Sequence, residues 1–533
     1  MRAVAGIVLL LLLTVGCRDR VVPPARPAVK TLSRGAAASA TAKTSSQRKP
    51  GRQASTSKRE GNSDRSDGQN AGKNGKNGRG LPSTTGENDQ PKNEDASNAP
   101  RLPERRTLAD LLDEPADSAA RWSDNVPRMQ IDDDRARSAG IRKLSGKRLT
   151  LYTDMPSSKE IDELPELFDQ AFPQWCDFFG VDPAKYADWR MTGFLIQQKT
   201  RFQQAGLLPP ELPPFQHGYS RNFEFWLYDQ PSDYYRRHLL LHEGVHGFMN
   251  TTLGACGRPW YMEGVAELLG THLWRDGRLT LNYLPATRED VPEWGRIRII
   301  KDAVAAGRAM RLQGVIDYSG SAHLETEPYA WCWALAAMLD RHPRYHQRFR
   351  LLAKDVLAAD FNQRFRQSIG DDWRPLCDEW DVMVSTLEYG HDIAQTAIDF
   401  TPGKPLPSGG ASVTVSAKAG WQNSGLRLEA GARYRLQAAG RYQVAQQPKT
   451  WWCEPGGVTI RYYMGRPLGI LLAAVRSDQP KENDASSLLR TTAVGLAAVL
   501  APSETDTLYL KINDSPAELA DNAGELTVRI IPE

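Results

Sequence analysis

The 533-residue sequence lacks the features that mark several common protein classes. Neither charge dominates, since 67 Lys and Arg face 64 Asp and Glu. The chain as a whole is therefore not a generic polyanion binder, and we expect no nucleic-acid partner. It contains no Walker loop, Rossmann fingerprint, nucleophile elbow or evident internal repeat. Its six cysteines include no CxxC pair, which excludes a disulfide scaffold and a thiolate zinc site but leaves one or two bridges open.

The apolar run at residues 3–15 is too short to cross a bilayer as a helix. It follows Arg2 and ends in Leu-Thr-Val-Gly-Cys at residues 13–17. This ending resembles the lipobox of bacterial lipoproteins, whose cysteine becomes the new N-terminus and carries acyl chains. The resemblance implies a signal peptide over residues 1–17, lipidation of Cys17 and an exported protein anchored to a membrane of the cell envelope. The alternative is an ordinary secretory signal cut elsewhere.

Aromatic residues are absent between Cys17 and Trp122. Residues 18–100 carry 16 basic and 8 acidic side chains, a net charge of +8. Such a segment cannot bury enough apolar area to offset the entropy lost on ordering, so we predict a disordered tether over residues 18–105. A flexible chain of this length spans roughly 50 Å r.m.s.. Its positive charge suits contact with anionic lipid or cell-wall polymers, although a plain solvated spacer is the simpler interpretation.

The rest of the chain predicts two folded domains of an α+β protein. After a linking segment at residues 106–148, residues 149–400 predict a mostly helical domain with a small N-terminal sheet. Its predicted strands lie at residues 148–153, 189–197 and 222–227, and an amphipathic helix is predicted at residues 161–179. A Pro- and Gly-rich linker at residues 401–410 leads to a β-sandwich over residues 411–533. Its predicted strands include residues 413–415, 434–436, 458–462, 508–512 and 526–530.

The segment Leu-His-Glu-Gly-Val-His at residues 241–246 contains HExxH. Ser232 as N-cap and the apolar run before the motif predict a buried helix of about five turns. His242 and His246, four residues apart, then share one helix face and can hold one Zn²⁺. Glu243, one step round the helix, is suited to take a proton from the attacking water. The alternative is a structural helix with two hydrogen-bonded histidines.

A second motif, W-x-x-E-G-x-A-E at residues 260–267, follows HExxH after a turn. The two motifs together resemble the gluzincin metallopeptidases, in particular the peptidase-MA-like group, over about residues 149–400. The resemblance implies that His242, His246 and Glu263 bind zinc and that Glu243 is the base. Glu267, one turn beyond Glu263, is then expected to accept a hydrogen bond from a ligand imidazole; the alternative is an exposed helix carboxylate.

Gluzincin aminopeptidases use a tyrosine, sixty-odd residues past the ligand glutamate, to stabilise the oxyanion. Tyr329 matches that place, with His323 as a second candidate and a core tyrosine as the alternative. His217 and His272 are expected to be ordinary hydrogen-bonded histidines. The G-x-M-E-N exopeptidase motif is missing, which favours an endopeptidase.

Near the C-terminus, N-D-x-P at residues 513–516 and D-N-x-G at residues 521–524 resemble the calcium loop of bacterial galactophilic lectins. The resemblance implies Ca²⁺ ligands from the side chains of Asp514, Asp521 and Asn522 and from the backbone carbonyl of Glu518, and oxygen ligands suit Ca²⁺. The lectin's His-and-Gln sugar-contact stretch is not visible around residues 454–466. Calcium binding, carbohydrate binding and a purely structural turn therefore remain open, as does the choice between sugar platform and core for the tryptophans at residues 451–452.

Together these features predict a zinc-dependent peptide-bond hydrolase, a metallopeptidase of endopeptidase type, displayed at the bacterial cell envelope. Its partners would be a peptide or protein substrate and the membrane that holds the lipid anchor. The alternative is a catalytically inactive zincin-like surface protein that binds carbohydrate through its calcium-dependent C-terminal domain. A zinc amidase acting on cell-wall peptides would share the site and differ in substrate.

Overall fold

The computed structural model describes residues 128–319, 326–477 and 484–533, which belong to one compact unit. The predicted signal peptide, Cys17, the tether, residues 106–127 of the linking segment and His323 lie outside the described residues. Helices prevail up to residue 385 and strands from residue 404, which confirms the α+β class with a strand-rich C-terminal part. In the described ranges, no helix is both long enough and apolar enough to span a bilayer. The five cysteines in these ranges are free thiols.

A five-stranded sheet opens the described chain. Its strands are β1 (Arg142–Ser145), β2 (Leu149–Thr153), β3 (Met191–Ile196), β4 (Gly218–Arg221) and β5 (Glu224–Tyr228), in the order β1-β2-β3-β5-β4. The central strands β2, β3 and β5 run parallel, and the edge strands β1 and β4 pair antiparallel. Four helices accompany this sheet: α1 (Asp133–Ser138), α2 (Lys159–Asp162), α3 (Leu164–Phe179) and α4 (Lys199–Ala205). The three parallel strands lie at the predicted positions, whereas the two edge strands were not predicted.

The helix predicted at residues 161–179 is interrupted at Glu163, which ends α2 and precedes α3. Pro165 lies in the first turn of α3, where its missing N–H costs nothing because the first amides of a helix have no partner within it. The apolar residues of α3 are buried in the main core. The prediction located the buried face and missed the break.

The helical part continues with eight further helices and one hairpin. The helices are α5 (Asp233–Thr252), α6 (Pro259–Gly270), α7 (Arg296–Ala305), α8 (Leu312–Ile316), α9 (Thr326–Arg341), α10 (His346–Leu351), α11 (Phe361–Ile369) and α12 (Trp373–Ser385). The hairpin joins β6 (His272–Arg275) to β7 (Arg278–Leu281). Helix α6 approaches α9 so closely that a Cβ on Gly264 would lie 2.7 Å from the carbonyl oxygen of Cys332. A larger residue there would push apart the helices that carry the site described below.

Two sheets and two hairpins form the C-terminal part. The strands are β8 (Lys404–Pro405), β9 (Ala411–Ser416), β10 (Gln422–Leu428), β11 (Tyr434–Ala439), β12 (Tyr442–Ala445), β13 (Trp451–Cys453), β14 (Val458–Tyr463), β15 (Arg466–Leu468), β16 (Leu471–Val475), β17 (Thr492–Ala493), β18 (Ala497–Leu500), β19 (Asp506–Ile512) and β20 (Glu525–Pro532). One sheet has the order β17-β16-β19-β10-β8 and the other β18-β11-β20-β9, with β12–β13 and β14–β15 as hairpins. The predicted linker at residues 401–410 contains β8, which pairs parallel with β10.

One buried ion pair and one buried hydrogen bond fasten the strand-rich part to helix α12. The carboxylate of Asp378, fully buried, accepts hydrogen bonds from Arg374 at 2.6 Å and from Arg476 at 3.0 Å. Asp381, on the same helix, accepts one from the backbone N–H of Ser486 at 2.8 Å. Because neither carboxylate could be left unpaired at this depth without a large cost, the junction is a fixed interface.

Candidate metal centre

Helix α5 is 20 residues long and carries the HExxH motif. The Ser232 hydroxyl accepts a hydrogen bond from the N–H of Tyr235 at 3.1 Å and so caps the helix, as its position predicts. His242 and His246 project from one face, with their Nε2 atoms 3.1 Å apart. Both imidazoles are buried.

Helix α6 brings Glu263 to the two histidines. Pro259 begins this helix, and Glu263 follows one turn later. The Oε2 atom of Glu263 lies 3.3 Å from Nε2 of His242 and 3.4 Å from Nε2 of His246. The three ligand atoms therefore form a nearly equilateral triangle within the protein interior.

This triangle has the size that a divalent ion requires. Tetrahedral ligands at 2.0–2.1 Å from a zinc ion lie about 3.3 Å from one another. Oε1 of Glu263 has no hydrogen-bond partner in the described part of the chain, and Oε2 faces only the two imidazoles, so a cation between these side chains could pair with the buried carboxylate. The buried His and Glu side chains can thus hold a metal ion.

The electrostatics of the three side chains also favour positive charge between them. Burial alone would lower the pKa of His246, but the negative charge of Glu263 outweighs it and raises the pKa to about 10. His242 behaves alike, with a pKa raised to about 9 against the effect of burial. In return, although burial opposes it, the positive imidazoles hold the pKa of Glu263 far below its usual range.

Glu243 is buried beside the edge strand β4. A Cβ on Gly218 would lie only 2.5 Å from Oε1 of Glu243, so the strand makes room for this carboxylate by having no side chain there. Burial raises the pKa of Glu243, against the effect of His242 and His246, which lower it. A carboxylate with a raised pKa is suited to accept a proton and pass it on.

Glu267 lies one turn beyond Glu263 on α6 and is buried. Its Oε1 atom is 3.5 Å from Nδ1 of His242, and its Oε2 atom is 3.4 Å from Nε2 of His238. The guanidinium of Arg296 donates two hydrogen bonds to the same carboxylate, both at 2.9 Å. Glu267 therefore faces the imidazole that it was predicted to orient, and it is not an exposed helix carboxylate.

His238, His242 and Glu267 form a second group that could hold a metal ion by proximity alone. The group of His242, His246 and Glu263 is the better placed of the two, because the carboxylate of Glu267 is already bound by Arg296. Sequence reasoning missed both His238 and Arg296. His238 could have been found from its position four residues before His242, whereas the sequence around Arg296 gives no such signal.

The structure brings Tyr329 to the site as well. Its ring centroid on α9 lies 6.0 Å from that of His242, and the guanidinium carbon of Arg296 lies 5.7 Å from the same tyrosine ring. Burial, followed by the negative charges of Glu263 and Glu243, raises the pKa of Tyr329 well above 10. The hydroxyl therefore keeps its proton and can act as a hydrogen-bond donor.

His217 and His272 belong to neither of the metal-binding groups found among the described residues. His272 is buried, with Nδ1 2.8 Å from the carbonyl oxygen of Gly270 and its ring stacked on Tyr234. His217 is exposed and lies just before β4. His272 therefore agrees with the expectation of an ordinary hydrogen-bonded histidine.

The predicted calcium residues are less convergent. Asp514 and Asn522 touch, since Nδ2 of Asn522 donates to Oδ2 of Asp514 at 2.9 Å. Asp521 accepts from the N–H of Gln446 at 2.9 Å. The side chain of Glu518 pairs with Arg461 at 2.6 Å; its backbone carbonyl was the predicted ligand. The buried Oδ1 atoms of Asp521 and Asn522 have no hydrogen-bond partner in the described residues.

The two neighbouring tryptophans also differ in their surroundings. Trp451 packs against the core of the strand-rich part, while Trp452 is half exposed and lies under Arg441. Trp452 is therefore the more exposed of the two.

Comparisons with known proteins add little to this geometry. No family model matches the chain, and no curated protein matches it. Among solved structures, one described as "EclA N-terminal domain; PllA-like lectin" matches at 23% identity, covering 23% of this chain and 95% of that chain, with a TM-score of 0.18. The likeness is too weak to carry an argument about function, which rests on the site itself.

Proposed function

We propose that this chain is a zinc-dependent peptide-bond hydrolase, a metallopeptidase of gluzincin type. The observation that carries the proposal is the triangle of His242, His246 and Glu263, with edges of 3.1, 3.3 and 3.4 Å. Two imidazoles and one carboxylate are a ligand set of catalytic zinc sites, which leave one position open for water or substrate.

The surrounding residues have separate roles in hydrolysis. Bound zinc would supply Lewis acidity toward the scissile carbonyl. Glu243 acts as general base and takes the proton of the attacking water, and Glu267 orients His242. The Tyr329 hydroxyl, protonated at neutral pH, donates a hydrogen bond to the oxygen that becomes negative.

The edge strand β4 supports a peptide as substrate. In the described sheet β4 pairs with β5 alone, and Gly218 at its start lies against Glu243. The free edge of such a strand offers backbone N–H and C=O groups to an extended peptide. A peptide bound along β4 would pass the base at an internal bond, which favours an endopeptidase.

The test combines metal content with activity. Plasma mass spectrometry should find one zinc per chain in the wild type and none in His246→Ala. Glu243→Gln should keep the zinc and lose hydrolysis of an unstructured protein such as casein. An active Glu243→Gln variant would refute the assignment of the base. Hydrolysis of cell-wall stem peptides, with casein left intact, would identify a wall amidase instead.

The place of action is proposed from the N-terminal sequence. Lipidation of Cys17 would hold the enzyme at a membrane of the cell envelope, with residues 18–105 as the tether. Cys17→Ser should move the protein from the membrane fraction to the soluble exported fraction. Equal membrane retention of both proteins would refute the anchor.

A second candidate function is calcium-dependent carbohydrate binding by a protein without peptidase activity. The unpaired buried oxygens of Asp521 and Asn522 favour it, because Ca²⁺ takes oxygen ligands of this kind. A glycan array with and without Ca²⁺ tests it, with Asp514→Asn as the matched variant. Binding that needs both Ca²⁺ and Asp514 would support this function, and binding in neither condition would refute it.

A further inference from the structure

One arginine joins the helices that build the candidate metal centre. Arg296, the first residue of α7, is buried and lies against α6 through its two hydrogen bonds to Glu267. The same guanidinium lies 5.7 Å from the ring of Tyr329 on α9. Through Glu267 it also reaches His238 and His242 on α5.

The buried negative charges around the two histidines require a cation at the position of the Arg296 guanidinium. Three carboxylates, those of Glu243, Glu263 and Glu267, are buried together around two histidines. A divalent ion and one guanidinium supply three positive charges, so a metal-loaded site with neutral histidines would be balanced. Without Arg296, Glu267 would be a buried charge with no hydrogen-bonded cation, which proteins rarely tolerate.

We propose that Arg296 is a positioning residue for the zinc site. Its fork fixes the plane of the Glu267 carboxylate, so that Oε1 faces Nδ1 of His242 and holds Nε2 of that ring toward Glu263. The inference rests on the zinc site proposed above.

A lysine could not do the same. The guanidinium matches a carboxylate through two parallel N–H donors, whereas an ammonium is a point charge that leaves the carboxylate free to rotate. The two distances of 2.9 Å from Nε and Nη2 show this paired geometry. Arg296→Lys should therefore keep the charge and lose the orientation.

The experiment measures zinc affinity by competition with chelators of graded strength, using the full chain. We expect Arg296→Met and Arg296→Lys to bind zinc about 10–100-fold more weakly than the wild type, the usual cost of losing a residue that supports a metal ligand. Arg350→Met is the matched control, since Arg350 forms an ion pair with Asp340 elsewhere in the helical part. Its zinc affinity should equal that of the wild type.

A double-mutant cycle tests whether Arg296 acts through Glu267. The variant Arg296→Met/Glu267→Gln removes both charges, so it leaves no buried carboxylate unpaired and guards against a failure to fold. We expect it to bind zinc as weakly as Glu267→Gln alone. In Arg296→Ala, tens of millimolar guanidinium should restore zinc affinity and equimolar sodium should not, because only guanidinium can again donate two parallel hydrogen bonds to Glu267.

Zinc affinity equal to the wild type in both single variants would overturn the inference, as would losses that simply add in the double variant. The wild type separates this failure from that of the proposed function. A wild type that binds no zinc refutes both, whereas a zinc-binding wild type with unaffected Arg296 variants refutes only the role of Arg296.

Discussion

The role of Glu243 as general base can be tested by substituting Gly218, the glycine that lies against its carboxylate. In Gly218→Ala the new Cβ would lie 2.5 Å from Oε1 of Glu243 and 3.0 Å from Cδ and Cγ, whereas ordinary contact begins near 3.4 Å. The carboxylate must therefore move by most of an ångström. The backbone of Gly218 is not in the left-handed region, so alanine adds no backbone strain and the effect is confined to this contact.

A displacement of this size is expected to cost about 100-fold in kcat, because a misplacement near 1 Å disturbs the geometry of attack. Zinc content should remain at one per chain, since the three atoms nearest to the new Cβ all belong to Glu243, which is not a proposed ligand. The assay is the steady-state cleavage of a quenched fluorescent peptide, with zinc measured on the same sample.

Gly193→Ala is the matched control. Its Cβ would lie 2.5 Å from the ring of Phe225 in the same sheet, an equal overlap against the core instead of the base. Both variants should lose about 1–3 kcal/mol of stability through overpacking, and only Gly218→Ala should lose the rate. Wild-type kcat in Gly218→Ala, or the same loss in both variants, would refute the reasoning.

Three further predictions follow from the charges. Zinc binding at pH 7.5 should release protons, because Glu263, against the effect of burial, raises the pKa of His242 and His246, and both imidazoles must be neutral to bind zinc; calorimetry in two buffers measures the number, and release of none would contradict it. Glu263→Gln should weaken zinc binding, and unchanged zinc content would place the third ligand elsewhere. Burial raises the pKa of Asp514 from 3.8 to about 6, so its contribution to stability is largest below pH 4 and is lost as the pH rises through 6. Urea unfolding of Asp514→Asn between pH 4 and 6 should show a flatter profile than the wild type, and parallel profiles would contradict the shift.

Capping residues, apolar runs and residue spacing predicted those parts of the site that lie within one helix. Ser232, the apolar run and the four-residue histidine spacing together specify α5, and Pro259 specifies the start of α6. The parallel strands of the first sheet were also predicted, since each is a short apolar run between turn residues. Hydrophobic periodicity and helix capping depend on residues close together in the chain, so both can be predicted from the sequence.

Elements whose stability comes from their neighbours were not predicted. Strand β4 is four residues long and has only one fully buried residue, so its sequence carries little strand pattern. It forms because β5 offers a partner edge. Arg296 was missed for the same reason: its role depends on Glu267, 29 residues earlier in the chain, and no spacing rule connects a turn of α6 to the start of α7.

The zinc motifs lie on helices and the calcium motif lies on a loop. This difference explains why the predicted zinc ligands lie together while the predicted calcium ligands do not. In α5 and α6 the backbone is helical, so the separations between His242 and His246 and between Glu263 and Glu267 fix where the side chains point. The calcium motif lies on a loop, where spacing alone does not set direction. There the side chain of Glu518 pairs with Arg461, and Asp521 turns toward Gln446. Calcium would have to displace the amide of Asn522 from Asp514, whereas zinc would meet a triangle already of the right size, and the zinc proposal is the stronger one for that reason.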